Sequence, residues 1–244
     1  MTEPSPFPNW VPQVTLGSRI LIVGSSGGIG KAVVEMLGDG PECFIGAHHF
    51  SASPSQPPSP KQRLVNLKKD LKSEAACTEL IDEFIAETGG IDALVVLCGA
   101  ISNAHFMDIS QQQWESDLLL NLSAPFYLSR HALKHMNRGR ILLMGTESAL
   151  HGGGPTSLAY AVAKRGIECL VQALAKEGAK KGNLVNGVRP GYIRSGTHER
   201  WKNATEEDLA RRAEMVPLKR AGTTQEVAAL ILFLLSDWAQ FLTG

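Results

Sequence analysis

The chain has 244 residues, 43% of them hydrophobic, with 24 Lys+Arg balanced by 24 Asp+Glu. That length suits one large domain with an ample core, and a zero net charge without any basic block disfavours nucleic acid or an anionic membrane as partner. The longest apolar run, 227–235, is far short of the ~20 residues of a membrane span, and the proline-studded stretch 1–16 does not read as a signal peptide.

A β-branched and aliphatic run at 19–23 leads into Gly24-Ser25-Ser26-Gly27-Gly28-Ile29-Gly30, and apolar residues follow at helical spacing over 29–37. This predicts a strand, a glycine turn and a helix. Glycine lets a backbone turn with positive φ and approach a pyrophosphate without a Cβ in the way, while the helix N-terminus offers unpaired N–H groups to the anion. Gly24 is expected to make the turn, Gly28 the close approach and Gly30 the helix–strand contact. The spacing is G-x-x-x-G-x-G, not the commoner G-x-G-x-x-G. A glycine-rich turn that binds nothing is the plain alternative.

Further strands are expected at 43–47, 63–66, 93–97, 140–144 and 184–188, and helices at 73–88, 111–136, 158–180 and 224–235. Alternation at these lengths predicts right-handed crossovers and a parallel sheet covered on both faces, a doubly wound Rossmann-type α/β domain. Ligands of such sheets bind beyond the carboxyl ends of the strands, so the glycine loop, the Thr146 region and the Pro190 loop share one rim. Residues 1–17 form an N-terminal extension and 18–244 the domain, with 51–60 (SASPSQPPSP) a mobile surface loop. Cysteines 43, 77, 98 and 169 lack paired spacing, and most read as small core residues in a reducing cytoplasm. The seven histidines suggest no metal-ligand set, His48-His49 being the one adjacent pair, and no metal is expected.

Two features within helices carry chemistry. Tyr160 and Lys164 lie four residues apart, pointing a phenol and an ammonium the same way. A cation held against a phenol lowers its pKa from near ~10 and makes proton exchange with an alcohol or carbonyl oxygen practicable. Pro125 has no N–H, so the helical bond to the Asn121 carbonyl cannot form, leaving that oxygen to hold a water that passes protons towards Lys164. A plain proline kink is the competing reading.

Together these motifs resemble the short-chain dehydrogenase/reductase family, and within it 3-oxoacyl-acyl-carrier-protein-reductase-like members, from about residue 18 to the C-terminus. The resemblance implies a catalytic Tyr160–Lys164 pair with Asn121. It implies cofactor contacts from Gly24, Ser26, Gly28, Ile29 and Gly30 in the glycine loop, from Asp70 and Leu71 at the adenine, and from Gly99. Tyr160 and Lys164 join them at the nicotinamide ribose, and Pro190, Gly191, Ile193 and Ser195 border the nicotinamide. Three departures stand out. Val96-Leu97-Cys98-Gly99 replaces Asn-Asn-Ala-Gly; the chain stops at Gly244, where members usually continue into a final strand, so either the chain is trimmed or the sheet is expected to lack that strand; and the catalytic serine is displaced. Strand phase places Thr146 in that serine's position, distance from Tyr160 favours Ser148, and Thr146 is preferred because the strand fixes its direction. The resemblance also implies a homotetramer built on helices 111–136 and 158–180; sequence does not separate it from a dimer.

The second strand ends in Ile45-Gly46-Ala47-His48-His49-Phe50-Ser51, with no carboxylate to hold ribose hydroxyls and repel a 2′-phosphate. His48, His49 and Ser51 are expected to accommodate that phosphate, favouring NADP(H) over NAD(H). Residues 192–216 form the expected lid, where Trp201 and Met215 line an apolar pocket or pack under a surface helix. The expected activity is hydride transfer between nicotinamide and a carbonyl/alcohol carbon, with reduction of a small-molecule ketone or an acyl-thioester (3-oxoacyl) substrate preferred. Oxidation of a secondary alcohol, sugar or sterol uses the same residues, and a catalytically idle nucleotide sensor is the alternative of another class.

Overall fold

The computed structural model describes residues 12–51, 56–196 and 204–244. Six parallel strands form one sheet: β1 (Arg19–Val23), β2 (Phe44–His49), β3 (Arg63–Lys68), β4 (Ala93–Val96), β5 (Arg140–Met144) and β6 (Leu184–Val188), in the order β3-β2-β1-β4-β5-β6. The order reverses between β1 and β4, which opens a crevice at their carboxyl ends.

Side chains alternate across the sheet. Leu21, Val23, Leu94, Val96, Ile141, Leu143 and Val185 face one layer, built from α2 (Glu74–Thr88), α4 (Ala124–His135) and α5 (Leu158–Gly178). Ile20, Ile22, Ala93, Val95, Leu142 and Met144 face the other, built from α1 (Gly28–Leu37) and α7 (Thr224–Leu235). Apolar runs buried on both faces are what a parallel sheet demands. Ser73 caps α2 through the Ala76 N–H, and Thr223 with Glu226 forms a capping box on α7.

The helix expected over 111–136 is one continuous rod with a wide turn inside it. α3 (Gln111–Leu118) passes into a π turn, Leu119–Ser123, before α4 begins. Pro125 explains the turn: its ring clashes with the carbonyl four residues back, that of Asn121, and it has no N–H to offer. Widening relieves the clash, and the Ala124 N–H reaches back to the Leu119 carbonyl.

Sequence periodicity gives no helix at α6 (Glu206–Met215), which is mostly charged and buries only Leu209. Thr205 and Asp208 start it with a capping box. At the other edge of the sheet, the Gly244 N–H donates to the Val185 carbonyl (2.9 Å) and Asn186 Nδ2 to the Leu242 carbonyl (2.8 Å), so the last residues lie along β6. Among the described residues no strand pairs beyond β6.

Candidate active site

The glycine turn folds as its spacing suggests. Gly24 has φ +89°, and a Cβ there would lie 2.9 Å from the Cys98 nitrogen, so β1 and β4 meet at bare backbone. A Cβ on Gly30 would sit 2.2 Å from the Gly24 carbonyl oxygen, which locks the first turn of α1 onto the loop. Gly28 also makes a close approach, but to a different neighbour than expected: its missing Cβ would meet the Ser195 carbonyl oxygen at 2.5 Å. The segment after β6 therefore lies across the start of α1. No side chain caps α1 and its first turn holds no acid, whereas α2, α3, α6 and α7 are all capped by Ser or Thr. The amides at the start of α1 are thus left without a side-chain acceptor. Ser26 is exposed and Ile29 half-buried beside them.

From this loop a chain of contacts runs round the rim. Gly99 follows Cys98, and a Cβ on it would lie 2.7 Å from Asn121 Oδ1 and 3.8 Å from Lys164 Nζ. Asn121 is fully buried on the π turn, its Nδ2 donating to the carbonyls of Ala100 (2.7 Å) and Asp117 (2.9 Å), while its Oδ1 has no protein partner. Asp117, buried one turn earlier, accepts from Ser102 N–H and Oγ and so pins the loop after β4. Lys164 Nζ donates to the Met144 carbonyl (2.9 Å) at the end of β5 and lies 5.8 Å from the centre of the Tyr160 ring. The Thr146 hydroxyl is near enough to Tyr160 to oppose the upward shift of its phenol, and Thr146 Oγ1 is 3.2 Å from Ser148 Oγ. The Glu147 N–H donates to the Pro190 carbonyl (2.9 Å), which carries the rim on to Gly191, Ile193 and Ser195 and back to Gly28.

Two expectations need correction. Lys164 does not acidify Tyr160 in this structure. Burial pushes the phenol up to about 12, with only the Thr146 hydrogen bond opposing it. Lys164 is itself pushed down to about 8 by burial, a nearby Cys98 opposing. Burial likewise raises the Cys98 thiol to about 11, which makes it no nucleophile at neutral pH. The second correction is His48, which is buried rather than available to a phosphate. Its Nδ1 accepts from the Gly24 N–H (3.2 Å), which leaves Nε2 as the protonated nitrogen donating to the Lys69 carbonyl (3.0 Å). Burial lowers its pKa, so the ring is a neutral brace between the glycine turn and the end of β3. His49 is buried too.

Beyond β3, the Asp70 carboxylate is paired with Lys72 Nζ (2.6 Å) and the Leu71 side chain is in the core. Lys72 also lies 5.8 Å from the centre of the half-exposed Phe50 ring, where β2 ends. Sequence spacing had given no reason to notice it, because Phe50 and Lys72 meet only through the pairing of β2 with β3. In the expected lid, Arg194 pairs with Glu206 (2.6 Å) and Tyr192 donates to the Leu209 carbonyl (3.3 Å), while Met215 is exposed and lines no closed pocket. Trp201 lies outside the described residues.

The family profile described as Enoyl-(Acyl carrier protein) reductase matches residues 27–244. The chain is 31% identical over 237 residues to the 3-oxoacyl-[acyl-carrier-protein] reductase of Vibrio cholerae, covering 93% of each chain. Among solved structures it is similar to a dehydrogenase/reductase from Sinorhizobium meliloti (TM-score 0.83, 22% identity, 94% of this chain and 92% of that one). It is similar also to a short chain dehydrogenase from Burkholderia cenocepacia in complex with NADP (TM-score 0.81, 23% identity, 93% and 94%). With this match over most of its length and a Tyr160–Lys164 pair on the rim of a doubly wound sheet, the chain belongs to the short-chain dehydrogenase/reductase family, enzymes that act on CH–OH and C=O groups.

Proposed function

We propose that this protein is an NADP(H)-dependent reductase of a ketone or 3-oxoacyl substrate, small or carried as an acyl thioester. The observation that carries the reading is the Tyr160–Lys164 pair on the rim of the crevice, with Thr146 at the end of β5 beside it. A phenol so placed can pass a proton to a carbonyl oxygen during reduction. The residues present fit a dinucleotide: the start of α1 has no side-chain cap or acid to compete with an anion, and Asn121 Oδ1 is an unpartnered acceptor near Lys164. A nicotinamide held there would supply the hydride that a carbonyl carbon accepts. Thr146, with Ser148 beside it, orients the substrate oxygen, and Tyr160 gives it a proton. The Lys164 ammonium steadies the phenolate left behind, and Asn121 holds the path by which that proton is replaced.

Preference for the phosphorylated cofactor rests on the missing carboxylate at the end of β2, with Ser26, Ser51 and Lys72 as the groups left to meet a 2′-phosphate. Asp70 and Leu71 lie at the adenine end, and Pro190, Gly191, Ile193 and Ser195 at the nicotinamide end. The relative from Vibrio cholerae is named for a 3-oxoacyl reduction and the Burkholderia cenocepacia structure for its NADP, which supports the same choice. The family resemblance carries the expectation of a homotetramer, and the exposed Val162 and Cys169 on the outer side of α5 lie on one of the helices that would form it. Four free cysteines suit a reducing cytoplasm.

The test is a panel of ketones, 3-oxoacyl thioesters and alcohols with each cofactor, run on the wild type and Tyr160→Phe. Wild type should reduce with NADPH, and the variant should lose roughly 10²–10⁴-fold in turnover while binding NADPH as before. Undiminished turnover by the variant would overturn the catalytic assignment. Inactivity of both proteins, with cofactor still bound, would favour the idle sensor.

A further inference from the structure

On the sheet face opposite α1 and α7, three side chains converge where α2 packs on α4. Asp82 comes from α2, and His131 and His135 stand one turn apart on α4. His131 Nε2 is 2.7 Å from Asp82 Oδ1, and the two imidazole rings meet edge to face with centres 5.0 Å apart. One ligand atom from each residue lies within 4.8 Å of the others, the one such group of three among the described residues. His131 is half-buried while Asp82 and His135 are exposed, so the cluster is open to solvent on one side. Two nearby cations are engaged elsewhere: Arg130 pairs with Glu74, and Lys69 with Glu79 and Glu83.

We propose that Asp82, His131 and His135 bind a divalent transition-metal ion of the zinc type, with water completing the coordination. Two histidines at i, i+4 present their nitrogens from one helix face, and imidazole with a single carboxylate suits zinc better than calcium or magnesium, which favour oxygen throughout. Ligand bonds of 2.0–2.1 Å in a tetrahedron put ligand atoms about 3.3 Å apart. The His131–Asp82 pair must open by roughly 0.6 Å and the wider pairs must close, both within reach of side-chain rotation on a solvent face. Binding at His131 Nε2 moves the imidazole proton to Nδ1 and turns the Asp82 carboxylate from His131 to the ion. The ion pins α2 to α4, the helix that grows out of the π turn bearing Asn121. The site is remote in role from hydride transfer and stands whether or not the catalytic reading does.

The test is a zinc titration of the chelator-stripped full chain by calorimetry, paired with thermal melts in Zn²⁺ and in Mg²⁺. Wild type should take up one zinc per chain saturably and melt higher in Zn²⁺ only. Because an outer-sphere partner alone is worth roughly 10–100-fold in affinity, losing a direct ligand in His135→Asn or Asp82→Asn should weaken zinc binding by at least tenfold. His105→Asn, at an exposed histidine elsewhere, should change nothing. No saturable zinc binding by wild type, or equal binding by both ligand variants, would overturn the proposal. Apo melts of the variants separate a lost ligand from a damaged fold.

Discussion

Replacing Lys164 by Met should make the protein more stable and inactive. The ammonium is buried, and burial moves its pKa from an ordinary 10.5 to about 8. At about 1.4 kcal/mol per tenfold, the folded state bears on the order of 3 kcal/mol for keeping that charge at neutral pH. Met keeps an unbranched stem of similar length, but it removes the donor to the Met144 carbonyl, a loss of about 1 kcal/mol. The net gain is then about 2 kcal/mol, or roughly 4–8 °C in melting temperature for a chain of this size. The sign depends on pH in a defined way. A lysine whose folded pKa is depressed imposes its full cost below about pH 8 and none near pH 10.5, where the unfolded chain also loses the proton. Wild-type stability should therefore gain on the variant as pH rises from 8 to 10.5, and the two curves should converge. The assay is chemical denaturation of the cofactor-free proteins at pH 7, 9 and 10. A variant no more stable than wild type at pH 7, or a gap that does not narrow, would refute the reasoning.

The same lysine predicts a pH profile: kcat/KM for reduction should be flat below about pH 8 and fall above it as the ammonium deprotonates; a rate that rises through that range would contradict it. Gly30→Ala places a Cβ 2.2 Å from the Gly24 carbonyl oxygen, backbone against backbone, so denaturant melts should show a loss of about 3 kcal/mol. A change within about 0.5 kcal/mol would mean the contact is not what fixes the loop. Lys72→Ala should raise KM for NADPH roughly three- to tenfold by removing a phosphate-facing cation and leave KM for NADH unchanged; equal effects on both cofactors would rule out Lys72 as a phosphate contact.

Much of this fold is legible from residue order because a parallel sheet buries both faces. The runs at 19–23, 140–144 and 184–188 begin and end where β1, β5 and β6 do. Boundaries slip where the apolar signal fades, as in β2, which runs on through His48 and His49. Those histidines also show why the phosphate site was misjudged. A polar residue at a strand end looks solvent-facing in sequence, yet β1 and the end of β3 close over His48 and use both its nitrogens. The Pro125 argument identified the lost helical bond but not the helix's response, which depends on the clash in three dimensions. Phe50 with Lys72, and Asp82 with His131, join distant segments, so no local spacing discloses them. The histidines show no metal-ligand set in sequence, and the i, i+4 spacing of His131 and His135 acquires meaning only once α2 brings a carboxylate beside them.

The π turn sets a limit on how this chain can drift. It serves as a phase adjuster between two rods with different obligations: α3 must aim Asp117 at the Ser102 loop, and α4 must press Leu128 and Ala132 into the core. Each residue gained or lost between them would swing one rod by about 100° against the other. Away from Asp117, Asn121, Pro125, His131 and His135, single exchanges along 111–135 are tolerable wherever volume is kept, but changes in length are not. Across descendants of this sequence, that stretch should vary in letters while holding its count.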